Sequence, residues 1–379
     1  MTDQGRTLPY EPGLDGLRAV SIVGVLLFHA CATSGLGGWF RGGNLGVSVF
    51  FTLSGFLITS LLLAEHERTG RIDLARFWTR RIRRLVAASL TVVVAVTVLS
   101  RTSWFDLRSG DALAAIWSAT NWHVVAGGQD RLLQTVVGPL GPTWSLAVEE
   151  QFYVVLAIGA WLAVRTRRPE RVLAAGAGVL VLVSLVVSNT VSDWSPRLEF
   201  GTDVRAAELA VGCLVALGLR RSVRMREVLR GRPAMADGVG MVAMAATVVA
   251  FLTAGTAPWL LRGGHAALAV VWALSIVGVL AHGRLDRALS APPLVAIGRW
   301  SYSLYLVHWP VFLVLSEDRT HLEGVALVVL KSAVAFVLAV GLHRAVEQPV
   351  RSARTGTWAT VAGWLGASVA ASLLAVALL

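Results

Sequence analysis

The sequence predicts an all-α fold, a polytopic membrane helix bundle. Three observations carry this. Hydrophobic residues make up 55% of the 379 residues and charged residues 15%, a balance too oily for a soluble domain of this length. Apolar runs of about 20 residues, enough to cross about 30 Å of hydrocarbon as a helix, recur along the chain. The arginines gather in alternate connections between those runs, the pattern that orients membrane helices.

The candidate crossings lie at 17–36, 45–64, 85–101, 144–164, 172–191, 204–219, 235–254, 265–282, 293–315, 323–343 and 357–378. The connection 65–84 holds seven arginines, 165–171 four and 220–232 six, and the intervening connections are poorer. This places the N-terminus in the cytoplasm and the C-terminus outside, for a multi-pass protein of the cytoplasmic (inner) membrane. Segment 111–125, "DALAAIWSATNWHVV", is apolar enough to be a helix. A crossing there would carry the four arginines of 165–171 outside, so the segment is assigned to the interface, which Trp104, Trp117 and Trp122 suit. Eleven crossings result. The N-terminus lacks a basic region followed by a short apolar core and a cleavage site, so the first helix is expected to be retained.

The net charge of +11 follows from those connections, and no aromatic–basic groove pattern points to nucleic acid. Cys31 and Cys213 lie in apolar runs and read as small buried hydrophobes. They give no metal or disulfide pattern.

Polar side chains inside apolar helices are the candidates for chemistry, because placing them in hydrocarbon is costly. Arg18 and His29 stand eleven residues apart in the first crossing. That is about three turns plus 20°, so they share a face and lie about 16 Å apart along the axis. Arg18 falls near the cytoplasmic boundary and His29 near mid-membrane. Glu149 and Glu150 enter the fourth crossing from the outer side, at a depth within about 6 Å of His29. Adjacent helical residues diverge by about 100°, so one carboxylate at most meets His29. Glu150 is preferred over Glu149. A histidine oriented by a carboxylate is a general base able to take a proton from an alcohol.

In "RFWTRRIRRL" (76–85), Arg76, Arg80, Arg83 and Arg84 recur at one helical face. Guanidinium forks match phosphate oxygens, although topology and anionic lipid heads account for such arginines as well. "GRWSYSLYLVHWPV" (298–311) places Arg299, Tyr302, Tyr305 and His308 in one crossing, more than interface anchoring needs. Glu347 falls near the last boundary, and Ser54 lies in the small-residue stretch "GVSVFFTLSGFLITS", which suits close helix contact.

Six stretches together resemble the acyltransferase-3 family of integral membrane O-acyltransferases. They are "LDGLRAVSIVGVLLFHA", "GVSVFFTLSGFLIT", "FWTRRIRRLVAA", "TWSLAVEEQFY", "GRWSYSLYLVHWPV" and "VEQPVR", in family order over roughly residues 14–351. The resemblance implies a ten-helix acyltransferase domain over 1–351. Residues 352–379 then form an extra C-terminal transmembrane helix with no soluble domain after it. It implies transfer of an acyl group, usually acetyl, from cytoplasmic acyl-CoA, with acetyl-CoA the expected donor. The acceptor is a hydroxyl of a glycan or a natural product such as a macrolide. The family's Arg–His motif falls on Arg18 and His29, its paired acids on Glu149 and Glu150, and its basic motif on Arg80, Arg81, Arg83 and Arg84.

Both lines converge on one expected mechanism. The Arg76–Arg84 face holds the coenzyme phosphates, Arg18 holds a phosphate or the start of the pantetheine channel, and Ser54, Arg299, Tyr302, Tyr305 and His308 line the channel. His29, held by Glu150, deprotonates the acceptor. Direct transfer and a covalent acyl-His29 route both stay open. No metal and no permanently bound cofactor are expected. The main rival is a transporter or flippase of a polar lipid or glycan precursor, which also places polar groups at mid-membrane. Neither inverted repeats nor matched broken helices support it.

Overall fold

The computed structural model describes residues 10–102, 104–131, 136, 138–191, 194–221, 232–255, 257–353 and 355–379. Most of the arginine-rich connection 220–232, its residues 222–231, therefore lies outside the described residues. Eleven long helices are described: α1 (Pro12–Ala32), α2 (Leu45–Thr69), α3 (Leu74–Leu99), α4 (Thr143–Ala163), α5 (Pro169–Thr190), α6 (Thr202–Arg221), α7 (Pro233–Thr253), α8 (Leu260–Val279), α9 (Pro292–Val314), α10 (Gly324–Leu342) and α11 (Thr357–Leu378). Among the described residues, nine helices are long and apolar enough to cross a membrane. The other two, α6 and α9, match them in length but carry Arg205 and Glu208, and Arg299 and His308.

Proline at the first turn of α1, α5, α7 and α9 starts those helices, because a first-turn residue has no backbone hydrogen bond to lose. Pro12 starts α1 five residues earlier than the apolar run. The helix also ends at Ala32, four residues before the expected end at 36, so His29 stands three residues from the helix end, about 4.5 Å along the axis. Segment 111–125 forms parts of two short helices, Ser109–Ile116 and Thr120–Arg131. At about 1.5 Å per residue neither spans a bilayer. Trp104, Trp117 and Trp122 stay exposed beside them.

The core runs through α1, α2, α4, α6, α9 and α10, where Ile22, Val25, Phe51, Phe152, Leu209, Leu304, Phe312 and Ala335 are buried together. The periphery reverses this. Val179, Leu182, Val242, Val337, Leu373 and Val376 point outward and exposed, the arrangement of helices surrounded by lipid. Backbones approach closely where side chains vanish. A Cβ on Gly55 of α2 would lie 1.9 Å from the Leu209 carbonyl oxygen of α6, and one on Gly212 would lie 2.0 Å from the Thr52 oxygen. This is the contact that small residues permit between membrane helices.

Polar atoms at helix ends are met by side chains from other helices. Lys331 of α10, the only lysine in the chain, is fully buried. Its Nζ donates to the Thr33 carbonyl at 2.6 Å, to Thr33 Oγ1 at 2.8 Å and to Ser34 Oγ at 3.2 Å, closing the C-terminus of α1. Thr33 Oγ1 in turn donates to the His29 carbonyl at 2.7 Å. Lys331→Met should therefore lower the thermal unfolding midpoint in detergent, by the equivalent of about 1–3 kcal/mol for an orphaned buried acceptor. Scanning fluorimetry of the purified variant checks it, and an unchanged midpoint would contradict the role.

Candidate active site

Two adjoining spaces occupy the bundle. At the end where α1 begins lies a vestibule of about 1280 Å³, walled by Arg18, Arg76, Arg80, Arg81, Arg83 and Arg84, with Arg299, Arg344 and Arg351 on its rim. From it a largely apolar cavity of about 530 Å³ continues into the bundle, sharing Arg18, Arg81 and Arg84 with the vestibule. Ser54, Ser145, Glu149, Tyr153, Tyr302 and Tyr305 are among its polar lining residues.

The structure brings Arg18 of α1 and the arginine face of α3 around one space. It also divides their duties. Arg80 pairs with Glu65 at 3.2 Å. Arg83 bonds to Thr355 and Thr360 across the start of α11, so its guanidinium is spent partly on docking that helix. Arg18 lies 3.5 Å from Asp15. Arg81 sits 4.3 Å over the Tyr153 ring, a cation–π contact. Arg84 reaches both spaces and makes no hydrogen bond to a described residue. Such guanidinium clusters bind polyanions with bidentate phosphate contacts. Among the described residues, no three His, Cys, Asp or Glu side chains come together as a metal site.

Deeper in, Glu149 accepts hydrogen bonds from Ser54 and from Tyr153, both on Oε1. Tyr302 donates to the Leu85 carbonyl at 2.6 Å. Tyr305 donates to the Pro142 carbonyl at 2.9 Å and meets Ser145 Oγ at 2.7 Å. This Tyr305–Ser145 contact belongs to the cavity wall. The Tyr305 ring touches His308, with centroids 5.5 Å apart, and His308 Nε2 lies 3.1 Å from His29 Nδ1. His29 is partly exposed and packs against Trp309, with ring centroids 4.9 Å apart.

Several expectations change here. The His29–Glu150 hydrogen bond is not formed; His308 occupies that place. The reason lies in the packing: α1 runs against α9 and α2, with α4 beyond them, so the imidazole meets a residue of α9 before a carboxylate of α4. Arg18 and His29 do not line one continuous space, because neither the vestibule nor the cavity reaches His29. Arg299 and His308, both expected along the channel, lie apart. Arg299 stays at the vestibule rim, bonded to Tyr10 at 3.0 Å, and His308 lies fully buried nine residues further on. Glu347 is buried at the vestibule, accepting from Ser303 and His343 at 2.9 Å each.

Sequence reasoning missed Tyr153 and a second buried cluster. Arg205 binds Glu208 at 2.7 Å and Ser48 at 2.8 Å, with His265 3.7 Å from the same carboxylate. An Arg and a Glu three apart inside an apolar run is the signal that would have found the cluster.

Comparison with known proteins names the class of this helix bundle. Residues 11–344 match the family model described as an acyltransferase domain, Acyl_transf_3, and the chain belongs to that family, the acyltransferase-3 family. Its relatives include the O-acetyltransferase OatA of Staphylococcus aureus strains NCTC 8325 / PS 47, COL and MRSA252. Each is 32% identical over 357 residues, covering 90% of this chain and 57% of the relative. The chain thus spans little more than half the length of those relatives. No solved structure matches it.

The division of duties among the arginines has a measurable consequence. Arg83→Ala should loosen the docking of α11 and open its N-terminal end at Gly356–Thr357 to limited proteolysis, and Arg84→Ala should leave that end protected. Equal cleavage of the two variants would refute the assignment.

Proposed function

We propose that this chain is a membrane O-acyltransferase. It would move an acetyl or short acyl group from a cytoplasmic acyl-CoA, acetyl-CoA above all, to a hydroxyl of a glycan or a hydroxylated natural product. The observation that carries the reading is the column of polar groups: an arginine vestibule, an apolar cavity ending at Ser145 and Tyr305, then His308 and His29. The arginine positions that orient the chain put the vestibule on the cytoplasmic side.

The donor's phosphates would bind Arg84, Arg81 and Arg18, with Arg80 and Arg76 at the entrance. Its pantetheine arm suits the apolar cavity, and the helical offset of about 16 Å from Arg18 to His29 is of the order of that arm's length. Ser54, Tyr153 and Glu149 shape the cavity wall with a satisfied polar cluster. The acceptor hydroxyl would reach His29 from the opposite side. His29 takes its proton as the oxygen attacks the thioester carbon, the carbon–sulfur bond breaks, and the coenzyme leaves as a thiolate that regains a proton. Tyr305 and Ser145 stand between the cavity and the histidines, so their contact has to open for the thioester to reach the base. The relatives' name, O-acetyltransferase, agrees with the reaction class.

Purified protein with labelled acetyl-CoA tests this, with water as acceptor and release of the coenzyme thiol as readout. His29→Ala should lower turnover by at least about 100-fold while its chromatographic profile stays unchanged. Near wild-type turnover would end the proposal, and vectorial uptake in vesicles without turnover would favour a carrier. Arg84→Ala should raise the acetyl-CoA concentration for half-maximal rate by about 10-fold or more, as loss of a charge-assisted contact does. Arg80→Ala should raise it less, because Glu65 already engages Arg80. An unchanged concentration dependence in both would remove the donor site from the vestibule.

A further inference from the structure

His308 is fully buried on α9, and both of its ring nitrogens are engaged. Nδ1 lies 2.7 Å from the Tyr305 carbonyl oxygen and 3.2 Å from that of Leu304. Carbonyl oxygens only accept, so Nδ1 must carry a proton. In a neutral ring Nε2 then has none and presents a lone pair. That lone pair is 3.1 Å from His29 Nδ1. For the contact to be a hydrogen bond, His29 Nδ1 must be the donor. The proton of a neutral His29 is thereby assigned to Nδ1, and Nε2 is left bare. His29 Nε2 has no hydrogen-bond partner among the described residues and is not sealed from solvent.

From this chain of contacts we infer that His308 is the positioning residue of the site. The backbone of its own helix fixes its tautomer, and it in turn holds His29 with Nε2 unprotonated and available as base. The inference rests on the reading of His29 as the base. It replaces the carboxylate orienter by a neutral imidazole locked onto main-chain carbonyls. A neutral acceptor leaves no buried negative charge when the base is idle. When Nε2 takes a proton from the acceptor alcohol, Nδ1–H still donates to His308 Nε2. The imidazolium charge stays on His29, which is partly exposed, and not on the buried His308. The main-chain end of the relay cannot titrate, so the tautomer is set by backbone geometry that a helix holds rigidly. Lys331 and Thr33 support the same arrangement from the other side, by fixing the last turn of α1 through the His29 carbonyl.

Two experiments test the inference. In the wild-type protein, solid-state ¹⁵N NMR of labelled histidine, assigned with His29→Ala and His308→Ala, should show a protonated Nδ1 and a bare Nε2 on His29 at neutral pH. A proton on His29 Nε2 would overturn the proposal whatever the reaction is. In the coenzyme-release assay with acetyl-CoA, His308→Leu removes the acceptor and His308→Gln supplies an amide oxygen at similar reach. Leu should lower kcat by about 100-fold or more with little change in the KM for acetyl-CoA, and Gln should recover at least about 10-fold of that loss. Wild-type kcat in the Leu variant would sink the role. So would a folded Gln variant as slow as Leu. Where Leu does not fold, the wild-type spectrum decides. If His29→Ala keeps its turnover, the base assignment fails, and the spectrum still reports separately on the tautomer.

Discussion

Inside a lipid-facing bundle a polar side chain has no water to fall back on, and each one must be met by another group of the protein or by a hydrated space. The arrangement of this molecule follows from that demand. Lys331 is met by the end of α1, Glu149 by Ser54 and Tyr153, Tyr302 and Tyr305 by main-chain carbonyls, and Arg205 by Glu208 and Ser48. The groups gathered around open space instead are the arginines of α1 and α3. Many of the deep polar groups are thus paired within the bundle, and a guanidinium cluster is left around the vestibule.

The same demand explains why the site is assembled from both halves of the chain. His29 comes from the first helix and His308 from the ninth, 279 residues later. The cavity wall joins Ser54 of α2 to Glu149 of α4 and Ser145 of α4 to Tyr305 of α9. Close approach at Gly55 and Gly212 lets α2 and α6 lie against each other, and Arg205 and Glu208 sit beneath that contact with Phe51 and Trp144 over the guanidinium. This second cluster is buried and internally satisfied, so it reads as a rigid support beside the cavity and not as a binding surface. The Tyr305–Ser145 contact of the cavity wall lies next to the histidines, with the Tyr305 ring against His308.

The periodic features were legible in the sequence. Apolar length marked the crossings, and the i, i+4, i+7, i+8 arginines of α3 marked one face, which the fold turns toward one space. Local chemistry shifted only the edges: α1 begins at Pro12 and ends at Ala32, each a few residues ahead of the apolar run's bounds, which leaves His29 near the helix end. Pairings between helices were not legible. Two carboxylates at plausible depth made Glu150 the natural partner for His29. Depth constrains only the axial coordinate, however, and it says nothing of which helix lies alongside.

The sequence by itself determined the all-α membrane class, the rough spans, the arginine face and the polar residues that had to find company. Those depend on hydropathy and helical repeat, which are properties of neighbours in the chain. Only the tertiary structure decided that His29 meets His308, that Glu149 serves Ser54 and Tyr153, and that Arg83 docks α11. Each of those is a side-chain contact between helices, and such contacts are set by which faces pack together, a quantity no single helix encodes.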